Sequence, residues 1–362
     1  MKPAYGGPAF SEAMLCTALQ KRASVTVLVR ADRVDREFVS EHGLHDVVTY
    51  SPTDLLRKVP ALFANFDVFH LNGHWRWEYA VLARLSERAG VPYVLHPRGM
   101  LLVGHRKVFA KKWFNRLLGN HIVERASRVI ALSEFETLQF DPYGVLAEKV
   151  TVLANPITTP QISALETSKK SGFLYLGRIE QRKNLIFLVE AFKEYRDKGG
   201  TSELRMVGPV ERGYDEMIRQ AVALLGLDES VKVLPPAFGD EKWRAIQRAE
   251  ALIYPALEEP FGRVPFEALT VGTAPVVPDR SGSAEYLKPF LPQCIYREND
   301  RGSLVNTLLN VNAPLTFEGV DRARGWIQTA LHPDHIAERM LEIYTGLRES
   351  PASLTETLSH AR

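Results

Sequence analysis

Short apolar runs rich in β-branched and aromatic residues alternate along the chain with longer stretches of helical period, and the series occurs twice. The first comprises "SVTVLVR" (24–30), "FDVFHL" (66–71), "VPYVLH" (91–96), "RVIAL" (128–132) and "KVTVL" (149–153). The second comprises "GFLYLG" (172–177), "LRMVG" (204–208), "VKVL" (231–234), "ALIYPA" (251–256) and "APVVPD" (274–279). Strands separated by helix-length segments pair in parallel, so the pattern predicts an α/β protein with parallel sheets. Between the two series, "ANPITTPQISALETSKKSG" (154–172) has no strand period and is rich in Pro, Ser, Thr and Lys, which reads as a linker. The expected organisation is a Rossmann-like domain over 1–158, a linker over 159–171, a second Rossmann-like domain over 172–330, and a helical stretch over 331–362 packing back on the first domain. Ligands of such domains bind at the carboxyl ends of the strands, here expected in a cleft between the two.

Composition narrows the class. With 362 residues, 45% apolar and 24% charged, the chain has the make-up of a globular protein of about two domains. No apolar run reaches the roughly 18 residues of a membrane-spanning helix. The opening "MKPAYGGPAF" lacks the regions of a signal peptide, so a cytoplasmic protein is expected. Cys16 and Cys294 have no partner spacing for a metal or disulfide framework. The net charge of +2 conceals an asymmetry: up to Pro160 there are 20 Lys/Arg against 15 Asp/Glu, and beyond it 25 against 28. The basic half suits an anionic surface or substrate.

Two clusters carry candidate chemistry. In "EEPFGRVPFEALTVGTAPVV" (258–277), the acids Glu259 and Glu267 stand eight residues apart around a Phe-Gly-Arg loop. Pro265 fits the first turn of a helix, and Gly262 before it would let backbone N–H groups approach a phosphate. Glu267 would accept from ribose hydroxyls and Glu259 from another hydroxylated group. A loop acid and a solvated helix acid are the plainer reading. The second cluster, "YLGRIEQRKN" (175–184), places Arg178, Arg182 and Lys183 after the first strand of the second series, where cations can clamp a diphosphate without metal. Arg182 reads better as a solvated charge.

Together, "GRIEQRKN", "EEPFGRVPFE" and "DRSGSAEYL" resemble the nucleotide-sugar half of the retaining glycosyltransferases of family 4, which have the GT-B fold. Arg178 and Lys183 match the family's cations, Glu259 and Glu267 its Glu-x7-Glu acids, and Ser281–Glu285 its Gly-Gly-x-x-Glu turn, with Ser281 in place of the first glycine. "YGGPAFSEAMLCTALQKR" resembles the N-terminal Gly-Gly loop and helix, with Gly6 and Gly7 where backbone reaches donor or acceptor. "PYVLHPRGML" resembles a segment of members that build exopolysaccharides and lipopolysaccharides; its His96 and Arg98 either touch substrate or brace the fold. The family has a strand before the Gly-Gly loop, and only five residues precede Gly6. Either the start lies upstream or the first domain is rearranged, and the missing strand would leave a gap in the middle of its sheet.

Other features have plainer readings. "HLNGHWRW" (70–77) reads as loop packing, with His74 and Trp75 as acceptor-site candidates. "HRKVFAKKWFNRLL" (105–118) mixes Lys111, Lys112 and Arg116 with Phe109, Trp113 and Leu117, which fits a solvated helix and also suits an anionic membrane surface. No strict Asp-x-Asp occurs.

The resemblance implies a metal-independent retaining hexosyltransferase without a cofactor. It would move sugar from a UDP- or GDP-type donor to a hydroxyl of a glycan or lipid-linked saccharide, with no nucleic-acid partner and with peripheral contact at the inner face of the cell membrane. Arg178 and Lys183 would neutralise the leaving diphosphate, Glu259 would orient the sugar, Glu267 would hold the ribose, and backbone around Phe261, Gly262 and Arg263 would meet the phosphates. The alternatives are a sugar-nucleotide epimerase of the same fold and a non-catalytic nucleotide-sugar-binding subunit of a polysaccharide assembly complex.

Overall fold

The computed structural model describes residues 7–102, 108–160 and 170–349. Most of the linker, Gly6 and His105–Lys107 lie outside them. The chain divides into two compact units, one built from the described residues up to Pro156 with those from His332 onward, the other from Ile157–Leu331.

The described strands are β1 (Val27–Arg30), β2 (Val47–Tyr50), β3 (Phe69–Asn72), β4 (Tyr93–His96), β5 (Arg128–Ala131), β6 (Val150–Val152), β7 (Phe173–Leu176), β8 (Leu204–Val207), β9 (Val231–Leu234), β10 (Ala251–Ile253), β11 (Ala274–Pro278) and β12 (Ile295–Tyr296). The helices that bear on function are α1 (Gly7–Gln20), α2 (Trp77–Arg88), α3 (Val108–Phe114), α4 (Leu185–Asp197), α5 (Gly239–Gln247), α6 (Arg263–Thr270), α7 (Gly282–Leu287) and α8 (Pro333–Arg348). All strand pairs are parallel among the described residues, as the alternation of strand and helix requires. The strands β2 and β12 are absent from the sequence expectation. The first has three of its four residues partly or fully exposed, and the second is two residues long, so neither presents a buried apolar run.

In the second unit one sheet runs β12-β11-β10-β7-β8-β9. The inner strands β7, β10 and β11 are buried at every position, which is why they read as continuous apolar runs, whereas the edge strand β9 keeps Lys232 exposed. Strand order reverses between β7 and β10, so the loops leaving their carboxyl ends stand side by side at a switch point.

The first unit has two ladders, β1-β2 and β3-β4-β5-β6, and no described strand joins them. A core that includes Leu55, Phe63, Tyr93, Leu95, Ile122 and Val129 packs along the larger ladder. Helix α8 lies against α1, where Arg22 bridges to Glu338 at 2.7 Å and Lys21 to Asp334 at 3.0 Å.

Candidate nucleotide-sugar site

The loop after β7 and the loop after β10 bring Lys183 and Glu259 together. Nζ of Lys183 donates to Oε2 of Glu259 at 2.6 Å and to the Tyr254 hydroxyl at 3.0 Å, and that hydroxyl donates to the same carboxylate oxygen at 3.1 Å. The ammonium also lies 5.0 Å from the Tyr254 ring centroid. Burial alone would push the Glu259 carboxyl up, but the Lys183 charge and hydrogen bond, the Tyr254 hydroxyl and the Arg182 charge together hold it below its ordinary range. The site therefore presents a carboxylate with ordered donors around it.

Local backbone explains how two short loops hold this triad. Asn184, directly after Lys183, has φ 55°, and Glu258, directly before Glu259, has φ 53°. Left-handed conformations at residues other than glycine cost about 1–3 kcal/mol and cluster at functional sites. Gly262 has φ 69°, and a Cβ there would stand 3.1 Å from a Tyr254 ring carbon and 3.3 Å from Cγ of Glu259. Only glycine lets the chain turn into α6 this close to the acid and the tyrosine. The turn before α7 closes the same corner: the Ser281 hydroxyl accepts from the Ala284 amide as an N-cap, and the Gly282 amide donates to the Glu259 carbonyl at 2.9 Å. The serine that replaces the family's glycine is thus a helix cap.

Glu267 sits in α6 with its side chain 5% exposed. Its Oε1 accepts from Arg263 at 3.3 Å from Nε and 3.2 Å from NH2, and Lys242 of α5 brings Nζ to 2.8 Å from Oε2. Burial would raise this carboxyl, and Lys242 and Arg263 outweigh it to bring the group below its ordinary range. The Phe261 side chain is buried and stacks on Phe266 with centroids 4.3 Å apart, so it belongs to the core and only its backbone is left for a ligand. Arg178 is 61% exposed and approaches Glu180 at 3.8 Å, outside the Lys183 triad. Arg182 is exposed, as expected of a solvated charge, yet its field reaches Glu259.

In the first unit, Arg98 is buried at φ 53°. Its Nε donates to Asn72 Oδ1 at 3.0 Å, its NH1 donates to Asn155 Oδ1, and Glu12 of α1 lies 3.6 Å away. The arginine ties together residues at the ends of β3 and β6, and Glu136 fixes the same turn by accepting from the amides of Gly99 and Leu132. His96 is buried beside His70, 5.5 Å between ring centroids, and burial followed by the Arg98 charge keeps it neutral. His74 is packed among Trp75, Phe114 and Tyr143 and pairs with Asn115 at 3.0 Å, the loop-packing arrangement. Gly7 opens α1.

Sequence reasoning missed Tyr254 and Lys242. The tyrosine ends an apolar strand and reads as core, and the lysine lies in the charged helix "GDEKWRAIQ".

Parallel α/β units of this kind bind ligands at the carboxyl ends of their strands, at the switch point where this cation–acid constellation stands. Comparison with known proteins gives the family. Residues 160–311 match the model for glycosyl transferases group 1, and residues 6–156 match that for the glycosyl transferase 4-like domain. The chain therefore belongs to the family 4 type glycosyltransferases, enzymes of the GT-B fold. It is 28% identical over 237 residues to D-inositol 3-phosphate glycosyltransferase of Pseudarthrobacter chlorophenolicus, covering 60% of this chain and 55% of that protein's length. It is 24% identical over 324 residues to the GDP-mannose:cellobiosyl-diphosphopolyprenol alpha-mannosyltransferase of Xanthomonas campestris, covering 84% and 80%. The Anabaena protein HepE, solved in complex with UDP, shares the fold with a TM-score of 0.77 at 20% identity, over 95% of this chain and 97% of HepE.

Proposed function

We propose that the protein is a retaining glycosyltransferase that moves a hexose from a nucleoside-diphosphate sugar to a hydroxyl of a glycan or lipid-linked saccharide, without metal. The observation that carries the reading is the Lys183–Tyr254–Glu259 triad against Gly262 at the carboxyl edge of β7 and β10. Support comes from relatives named for transfer to an inositol phosphate and to a diphosphopolyprenol-linked sugar, and from HepE complexes with UDP and UDP-glucose. Lys183 and the exposed Arg178 would neutralise the diphosphate as it leaves, and such a donor is typically responsible for about 2.7–4 kcal/mol of transition-state stabilisation. Glu259 would orient the sugar, Glu267 the ribose, and the backbone at Phe261–Arg263 the phosphates. The bond from the anomeric carbon to the diphosphate breaks as the bond to the acceptor oxygen forms on the same face. The acceptor's proton passes to the leaving phosphate oxygen, so no protein nucleophile is needed.

A membrane-linked acceptor fits the outer face of α3 and the turn that continues it. Phe109, Trp113 and Leu117 are 82%, 62% and 66% exposed, with Lys112 and Arg116 exposed between them, while Phe114 and Leu118 pack inward. A solvated helix would turn its aromatics to the core. This face suits peripheral attachment to anionic lipid at the cytoplasmic leaflet. Among the described residues no helix is long and apolar enough to cross a membrane.

The deciding experiment is a panel of UDP-, GDP- and ADP-sugars scored for thermal shift, slow hydrolysis and product. Hydrolysis or transfer with retained anomeric configuration is expected. Conversion to an epimer without acceptor would move the protein to the epimerase reading, and tight binding with no turnover on any acceptor extract to the scaffold reading.

A further inference from the structure

The Glu267 carboxylate has one oxygen committed and one with spare capacity. Oε1 faces the Arg263 fork. Oε2 is buried and meets the Lys242 ammonium at 2.8 Å, which leaves its second lone pair available. Each carboxylate oxygen has two lone pairs and an ammonium has three N–H groups. Lys242 reaches this point from α5 with its side chain 25% exposed and its head 4.6 Å from the Trp243 ring centroid. One flank of the cation meets the acid, and the side chain keeps access to solvent. An acceptor with a free lone pair beside a donor with a free N–H is what a vicinal diol needs. One hydroxyl donates to Oε2, and its neighbour accepts from Nζ.

We infer that Lys242 is a specificity-determining residue, pairing with Glu267 to recognise the 2′,3′-diol of the donor's ribose. The inference rests on the nucleotide-sugar reading and adds a second, cationic half to the ribose site. A lone carboxylate accepts from either hydroxyl, whereas the acid–ammonium pair requires both.

Calorimetry with UDP, GDP and ADP identifies the diphosphate bound most tightly, and its 2′-deoxy counterpart is the second probe. The wild type should favour the ribonucleotide by about tenfold or more, the range of one hydrogen bond to a charged group. Lys242→Met should weaken the ribonucleotide by a similar factor and the deoxynucleotide much less, so that their ratio collapses, and Lys242→Arg should restore part of it. Equal losses on both probes would make Lys242 a merely structural neighbour and overturn the assignment. Tighter ribonucleotide binding by Lys242→Met would overturn it too, by making the lysine a competitor for the acid. Should Lys242→Met not fold, Lys242→Arg and Lys242→Gln measured on the same two probes decide the question. A wild type that binds none of the three diphosphates refutes the nucleotide-sugar reading itself, an outcome distinct from equal loss on a nucleotide that binds well.

Discussion

Lys183→Met tests whether the ion pair at the centre of the site acts as one unit. Lys183 and Glu259 are 14% and 21% exposed, with 2.6 Å between Nζ and Oε2. Removing one partner of a largely buried pair costs about 3–5 kcal/mol, because the other charge is left uncompensated. Here the Tyr254 hydroxyl still donates to the same oxygen at 3.1 Å, which offsets about 1 kcal/mol. The expected loss is therefore about 2–4 kcal/mol. At about 2–4 °C per kcal/mol for a unit of this size, Tm should fall by roughly 5–15 °C. Lys183→Met/Glu259→Gln removes both charges and should be at least about 1.5 kcal/mol more stable than the sum of the single losses, while remaining unable to turn over donor. The pH dependence has a definite sign. The Glu259 carboxyl is held below its ordinary 4.5 when folded, so the pair's stabilisation is fully present above about that pH and is lost as pH falls through the lower folded value. In Lys183→Met burial loses its main opponent, and the decline should move to higher pH. Thermal melts of the four proteins from pH 3 to 8 make the measurement. Single losses that add to within about 0.5 kcal/mol would refute the pairing.

Gly262→Ala should cost about 1–3 kcal/mol through its left-handed backbone and should depress donor turnover more than donor affinity, since the new methyl group meets Tyr254 and Glu259; unchanged turnover in a folded variant counts against this corner as the reacting site. Donor turnover should survive EDTA, and strict dependence on a divalent ion that coordinates the diphosphate would remove the cation-clamp reading. Binding to vesicles of anionic lipid should weaken with salt and fall when Phe109, Trp113 and Leu117 are replaced by Ser, whereas salt-insensitive binding or a switch from dimer to monomer in those variants would assign the face to another role.

What was legible in the chain follows from how local each signal is. The inner strands of the second unit announce themselves because burial on both faces makes them uniformly apolar; Glu259 and Glu267 stand out as charges in a largely apolar stretch, and Lys183 as one of the cations in the polar loop that follows β7. Tyr254 does not interrupt anything: it continues an apolar strand, and its role depends on the hydroxyl meeting a residue 71 positions earlier. Lys242 hides for the opposite reason, as one charge among several on an amphipathic helix, made distinct only by the way α5 packs beside α6. The left-handed turns at Asn184 and Glu258 carry no glycine to mark them. The outward aromatics of α3 were visible as residues but not as a face, since the same pattern serves a helix turned the other way.

Among the described strands, β1 pairs with β2 and β3 with β4, so each has one side without a described neighbour. In a parallel ladder successive residues direct their amides to opposite sides. The Val27 amide bonds toward β2 and the Phe69 amide toward β4, while those of Leu28 and His70 point to the opposite side of their strands. Hydrogen exchange along β1 and β3 should therefore alternate residue by residue, slow and fast, within a single strand. In β7, flanked by β8 and β10, protection should instead be even from end to end. Among the described strands, β1 and β3 thus carry a two-residue rhythm of backbone opening that β7, paired on both sides, lacks.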